Sequence, residues 1–131
     1  MENNGERLMS VSVLIVDDLP MMRQAIREVL LESSIKVAGE AHNGRSALQL
    51  YTALQPDVVL MDITMPVMDG LEALRRLKQI DSRVKVIMCS SMSGQKYVLR
   101  AIQLGARDFI VKPFQAERIV SSIRKTVGRD G

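Results

Sequence analysis

Asp57-Val58-Val59-Leu60-Met61-Asp62-Ile63-Thr64-Met65-Pro66 is the stretch that decides how the chain reads. The apolar run from Val58 to Met61 is bounded by turn signals and too short for a helix, so it predicts a fully buried strand. It ends on a bare carboxylate, Asp62, and Pro66 and Gly70 mark an ordered loop behind it. An unpaired charge is costly to bury. A buried strand that delivers an acid to its carboxyl end is therefore presenting it. On this strand alone, a cap for the next segment explains Asp62 equally well.

Similar units flank it on both sides. Residues 11–16 form an apolar run ending on Asp17-Asp18, and Leu19-Pro20 opens a helix whose stripe is Met22, Ile26, Val29 and Leu30. Residues 36–41 predict a weaker strand. Asn43-Gly44 then turns into a helix over 45–54 with Ala47, Leu48, Tyr51 and Leu54 inward. After Gly70 a third helix turns Leu71, Leu74 and Leu77 inward and Arg75, Arg76 and Lys78 mostly outward. Residues 84–90 give a fourth strand ending on Ser90-Ser91, and Met92-Ser93-Gly94 leads to a helix striped by Val98, Leu99 and Ile102. Gly105 is placed to close that helix. Residues 108–111 run into Lys112-Pro113, and a last helix over 115–127 buries Ile119, Val120, Ile123 and Val127.

Five alternations with short connections predict an α/β fold: a doubly wound, five-stranded parallel sheet with five helices. Right-handed crossovers leave few topologies, and strand order 2-1-3-4-5 is the common one at this size. One domain over 11–127 is expected, with a polar N-terminal extension at 1–10 and a frayed end at 128–131.

Composition narrows the class. The chain has 131 residues, 47% hydrophobic and 25% charged, enough for one sizeable core. No apolar run approaches the ~18 residues of a membrane span, and the start lacks the apolar stretch of a secretory signal. Cys89 is the single cysteine, which forbids an internal disulfide and fits a reducing cytoplasm. Residues 1–70 carry 5 Lys/Arg against 10 Asp/Glu, and residues 71–131 carry 13 against 5. The positive charges are scattered on polar helix sides, and two Tyr and two Phe offer little base stacking, so DNA is not an expected partner.

Strands of a parallel sheet share one carboxyl edge, where ligands bind at the switch point. Asp17 and Asp18 end strand one, Asp62 strand three, Ser90 strand four and Lys112 strand five. Three clustered carboxylates need a proton or a cation among them. An all-oxygen site favours a hard divalent ion such as Mg²⁺, and without a histidine or a well-placed thiol zinc does not fit. Metal and Lys112 together suit a phosphoryl group. Asp can be the nucleophile that forms an acyl phosphate, and phosphoryl transfer needs mainly positioning and charge neutralisation.

With VLIVDD, DVVLMDITMP, MDG, the serine after strand four and GARDFIVKPF in view, the chain resembles the receiver domains of two-component response regulators over about residues 11–127. The resemblance implies a flavodoxin-like receiver fold in which Asp62 accepts phosphate from the histidine of a sensor kinase. It implies that Asp17, Asp18, Asp62 and the main-chain carbonyl of Thr64 hold Mg²⁺, Asp18 more directly than Asp17. Lys112 would pair with phosphoryl oxygens, Ser90 would swing to hydrogen-bond one of them, and Phe109 would be the switch aromatic that moves inward. Pro113 would follow a cis peptide at Lys112. Such a protein is a phosphoacceptor switch, catalysing only its own phosphoryl transfer and slow autodephosphorylation.

Two positions depart from the best-known chemotaxis pattern. Phe109 lacks a phenol hydroxyl, and Met92 offers nothing to orient a water, while Thr64 offers a hydroxyl but no amide. A long-lived phosphoryl group is expected unless a dedicated phosphatase acts. With the last helix running toward Gly131, the expectation is a stand-alone receiver that signals through its fourth helix, fifth strand and fifth helix, with a fragment of a larger regulator left open. Lys96, Arg100, Arg107, Arg118, Arg124 and Lys125 make that face basic, suited to an acidic partner segment or to ordinary solubility.

CSSMSGQ and GARDFIVKPFQ look most like single-domain chemotaxis regulators of the CheY type. That implies a chemotaxis kinase upstream and the flagellar motor switch downstream, with the chain a monomer or a weak phosphorylation-dependent dimer. MPVMDGLEALRRL also resembles receivers of chemotaxis methylesterases, and a phosphorelay intermediate, as in sporulation, stays open. A haloacid-dehalogenase phosphatase would need an acid where Thr64 stands, and an FMN carrier would not tolerate Asp17-Asp18 at its phosphate loop. His42 reads as surface; Cys89, Met61 and Met88 read as core.

Overall fold

Successive side chains of a strand point to opposite faces, so a sheet covered on both sides must divide each strand between two cores. The computed structural model describes residues 11–92 and 94–128. The expected 1–10 extension and the last three residues of the expected frayed end lie outside them. Strands and helices alternate as β1 (Ser12–Val16), α1 (Pro20–Glu32), β2 (Lys36–Ala41), α2 (Gly44–Leu54), β3 (Val58–Met61), α3 (Gly70–Ile80), β4 (Val86–Ser90), α4 (Gln95–Gln103), β5 (Asp108–Val111) and α5 (Ala116–Gly128). All pairings are parallel and the order is β2-β1-β3-β4-β5, as the sequence predicts.

The division between cores follows the alternation. Val13, Ile15, Val58, Leu60, Ile87, Cys89 and Ile110 join Ile26, Leu30, Ile119 and Ile123 of α1 and α5. Leu14, Val16, Val59, Met61, Val86, Met88 and Phe109 join Ala47, Tyr51, Leu74, Leu77 and Ala101 of α2, α3 and α4. Each large side chain fully buried this way stabilises by roughly 1.5–3 kcal/mol. No helix among the described residues is long and apolar enough to cross a membrane.

Local chemistry sets the helix ends. Asn43 accepts from the Ser46 N–H at 2.8 Å and starts α2 with a capping box. Asp69 accepts from the Glu72 N–H at 2.9 Å to start α3. Gly105, at φ +102°, closes α4, with the Ala106 N–H donating to the Ala101 carbonyl at 2.9 Å.

Four expectations need correction. Leu99 and Ile102 of α4 stand outward, 55% and 48% exposed. The stripe that packs is Tyr97, Val98, Ala101 and Leu104, about one residue round the helix, and it centres on fully buried Ala101. Leu54, at the last turn of α2, is exposed rather than inward. Strand β4 starts at Val86, although Val84 is buried and the Lys85 carbonyl accepts from the Val59 N–H at 2.8 Å. Gly128, expected to fray, completes the last turn of α5.

A single carboxylate ties β5 to α5. Asp108 accepts from Arg118 at 2.9 and 3.1 Å, from Ser122 Oγ at 2.7 Å and from the Phe109 N–H at 2.7 Å. Burial pushes its carboxyl up, but these donors outweigh it and hold the group at about 2, below the ordinary 3.8. A depressed folded value stabilises above the unfolded one, and that stability is lost as pH falls through the folded one. Asp108→Asn is expected to destabilise by on the order of 1–3 kcal/mol at neutral pH. It should also lose the wild type's fall in stability between about pH 4 and pH 2, measured by denaturant melts across that range.

Candidate functional site

Ladder bonds carry the acids to the carboxyl edge. The Asp17 N–H donates to the Ala41 carbonyl at 3.1 Å, and the Asp62 N–H to the Val16 carbonyl at 3.0 Å. One carboxylate oxygen from each of Asp17, Asp18 and Asp62 lies within 4.8 Å of the others. Asp17 and Asp62 are buried, and Asp18 is half-buried. The Lys112 N–H donates to the Ser90 carbonyl at 3.0 Å, which aims the lysine at the same edge. Its ammonium lies 2.6 Å from Asp17 Oδ2 and 3.4 Å from Asp62 Oδ2. The Lys112–Pro113 peptide is cis.

The oxygens are not equivalent. Asp17 Oδ1 accepts from the Leu19 N–H at 3.0 Å and its Oδ2 from Lys112, so both are engaged. Asp62 Oδ1 accepts from the Ile63 N–H at 2.7 Å, leaving Oδ2 toward Lys112. Burial pushes the Asp62 carboxyl up; the Lys112 cation pulls it down, Asp17 adds a further rise, and the net is upward. For Lys112, burial favours the neutral amine, yet the bond to Asp17 and the two carboxylates outweigh it, so the proton is held more tightly. One ammonium among three carboxylates leaves a negative, all-oxygen pocket, and those donors fit a hard divalent cation such as Mg²⁺.

The loop behind Asp62 is tied down. The Gly70 N–H donates to the Ile63 carbonyl at 2.7 Å, and a Cβ at Gly70 would fall on the Asp62 carbonyl oxygen. The Met68 N–H donates to the Pro66 carbonyl at 2.7 Å around Val67 at φ 70°, a tight and strained three-residue turn. The Met68 carbonyl in turn accepts from the Gly44 N–H at 2.9 Å. Ser90 is fully buried, and its Oγ accepts from the Met92 N–H at 3.0 Å. Thr64 is exposed and Met92 half-buried. Phe109 is already inside, 8% exposed, within the α2-α3-α4 core.

Asp17, Asp18, Asp62 and Lys112 thus meet at one place, with Ser90 on the adjoining strand end. Lys96, Arg100, Arg107, Arg118 and Arg124 belong to α4, α5 and the segment before β5 instead. Of these, Lys96 lies 5.2 Å from the Tyr97 ring and Arg118 is held by Asp108. His42 is exposed, and burial pushes the Cys89 thiol up to about 12. Sequence reasoning missed Arg23, whose Nη1 donates to the Asp17 carbonyl at 2.7 Å. The only signal was Arg23 and Arg27 at i and i+4 beside a strand holding Glu40.

Residues 13–124 match the family model of the response regulator receiver domain. The chain is 50% identical over 119 residues to the chemotaxis protein CheY of Bacillus subtilis, covering 91% of this chain and 99% of that one. It is 48% identical over 117 residues to the chemotaxis protein CheY of Thermotoga maritima, covering 89% and 98%. Among solved structures, a CheX–CheY–BeF3–Mg²⁺ complex from Borrelia burgdorferi superposes with a TM-score of 0.86 at 29% identity, covering 88% of this chain and 87% of that one.

A raised carboxyl pKa means that the ionised Asp62 destabilises the fold, and that falling pH relieves the cost. Asp62→Asn is therefore expected to melt higher than wild type at neutral pH in EDTA. Millimolar Mg²⁺ should raise the wild-type midpoint through linkage and the variant's by less. Differential scanning calorimetry with and without Mg²⁺ checks both; no Mg²⁺ response in wild type would remove the metal assignment.

Proposed function

The chain belongs to the response regulator receiver domain family, and from that premise we propose that Asp62 takes a phosphoryl group from the phosphohistidine of a chemotaxis sensor kinase. The observation that carries this is Asp62 Oδ2, clear of the Ile63 N–H, 3.4 Å from Lys112 and within the Asp17-Asp18 cluster. That oxygen attacks phosphorus. Its O–P bond forms as the P–N bond to the donor imidazole breaks, and the electron pair leaves with the nitrogen. Lys112 offsets the charge gathering on the phosphoryl oxygens. Asp18, Asp62 and the Thr64 carbonyl, with Asp17 behind them, would hold Mg²⁺, which supplies further charge neutralisation there. The protein is a phosphoacceptor switch rather than an enzyme acting on a separate substrate.

Ser90 is the residue that reads the mark. Turning its hydroxyl toward a phosphoryl oxygen would shift Oγ against the Met92 N–H, 3.0 Å away, at the start of the loop into α4. With Phe109 already inside, the signal travels through that loop and α4. The output face combines exposed Leu99, Ile102 and Val111 with Lys96 and Arg100. Such a face suits an amphipathic, acidic partner helix, and likeness to chemotaxis CheY proteins supports the flagellar motor switch as that partner. The same reading has the protein working in the cytoplasm, as a monomer or weak phosphorylation-dependent dimer, with protein partners rather than DNA.

Incubation with a small phosphodonor and Mg²⁺ should add one phosphoryl group by intact mass. Beryllofluoride should shift the amides around Ser90 and α4 in NMR spectra. Asp62→Asn should do neither, and equal behaviour of the two proteins would overturn the assignment.

Thr64 and Met92 present no acid or amide to orient water, so the aspartyl phosphate should outlast its formation and need a dedicated phosphatase. Met92→Glu and Thr64→Asn should each speed decay, by roughly tenfold if the new group orients water as a general base would. Radiolabel decay measures this; unchanged rates in both variants would discard the idea.

A further inference from the structure

The turn from β1 into α1 carries both Asp17 and Asp18, yet the cap position of the helix does little to fix it. Leu19 is the N-cap residue and makes no side-chain cap, and no acidic residue stands in the first turn of α1. The turn is held instead by the Leu19 N–H, which donates to Asp17 Oδ1 at 3.0 Å, and by Arg23 reaching back from α1. Arg23 is fixed on the first turn of α1 by its own N–H, which donates to the Leu19 carbonyl at 3.1 Å. From there its Nη1 donates to the Asp17 carbonyl at 2.7 Å, and its Nε lies 3.2 Å from Glu40 Oε1 on β2. Glu40 also binds Arg27. The guanidinium is largely buried, its side chain 18% exposed.

We propose that Arg23 is a positioning residue for the cation site: by gripping the Asp17 carbonyl while braced on Glu40, it sets the Asp17–Asp18 peptide plane and so aims the Asp18 carboxylate. The proposal rests on reading Asp17, Asp18 and Asp62 as the Mg²⁺ site. Rotating that peptide plane would swing the Asp18 Cα–Cβ direction, and Asp18 is the least buried of the three acids. A planar fork with several donors can hold a carbonyl and a carboxylate at once, which an ammonium does less well. A bare cation this close would repel a metal ion. Glu40, shared with Arg27, offsets part of that charge, so the hydrogen bond and the remaining charge act in opposite directions.

The direction of the effect separates this role from the alternatives. Electrostatics alone predicts tighter Mg²⁺ binding when Arg23 is removed, because a positive charge is lost. A purely structural role predicts a lower melting temperature with unchanged affinity in the folded protein. Positioning predicts weaker binding, by about tenfold as for other groups that orient metal ligands.

The test is Mg²⁺ titration of the full, unphosphorylated chain by calorimetry, with amide shifts of Asp18 and Leu19 followed by NMR and melts run in EDTA. Arg23→Ala should lose about tenfold in affinity, with Arg23→Lys in between. Arg27→Ala, which removes a charge from the same Glu40 without reaching Asp17, should stay within about twofold of wild type. Equal or tighter binding in Arg23→Ala overturns the proposal, as does an equal loss in Arg27→Ala. If Arg23→Ala does not fold, Arg23→Lys decides alone: wild-type affinity overturns the proposal, and a severalfold loss supports it. If wild type binds no Mg²⁺, the acidic-cluster reading falls and takes the proposal with it.

Discussion

Three carboxylates crowded at neighbouring strand ends, with one ammonium among them, are the constraint on which this molecule turns. Their mutual repulsion is tolerable only with a counter-charge nearby, and Lys112 supplies it from the far end of the chain, 2.6 Å from Asp17 and 3.4 Å from Asp62. The division of labour follows from those two distances. Asp17, with both oxygens engaged, is the fixed partner of the lysine. Asp62 holds the lysine at the longer distance, through Oδ2, and is kept in a state that burial disfavours. Each addition of positive charge, or of a group that removes the Asp62 charge, relieves an existing cost, which is why the site is disposed to bind.

Around that cluster the backbone behind Asp62 is held stiffly. Behind Asp62, Gly70 lets the loop lie against the Asp62 carbonyl, and the turn at Val67 is locked to α2 through Gly44 and Met68. A nucleophile needs such support, because a small misplacement of the reacting atom is expensive. Beyond Ser90 the Met92 N–H donates to the Ser90 hydroxyl at 3.0 Å, and Ala101 is the buried residue of α4. Local stability follows buried contact, so a change at the serine would be absorbed by α4 before the sheet.

Much of the site was legible in one dimension. An apolar run of strand length that stops at an acid is a local pattern, and a parallel sheet gathers all such stops at one edge. Asp17, Asp18, Asp62, Ser90 and Lys112 could therefore be placed together without coordinates. The stripe of α4 could not, because Leu99 and Ile102 are apolar and helically spaced like core residues. What turned them outward was the packing of small Ala101 against the sheet.

The burial of Phe109, the choice of Lys112 for Asp17 over Asp62, and the reach of Arg23 to the Asp17 carbonyl belong to the same class. Local run length and periodicity are properties of consecutive residues, so strand order and the strand-end acids followed from the chain as written. Which of two nearby oxygens receives a proton donor, and which face of a helix meets the sheet, are settled by groups up to 95 residues away. Those contacts exist only once the sheet has formed, because only then do residues far apart in the chain come within bonding distance.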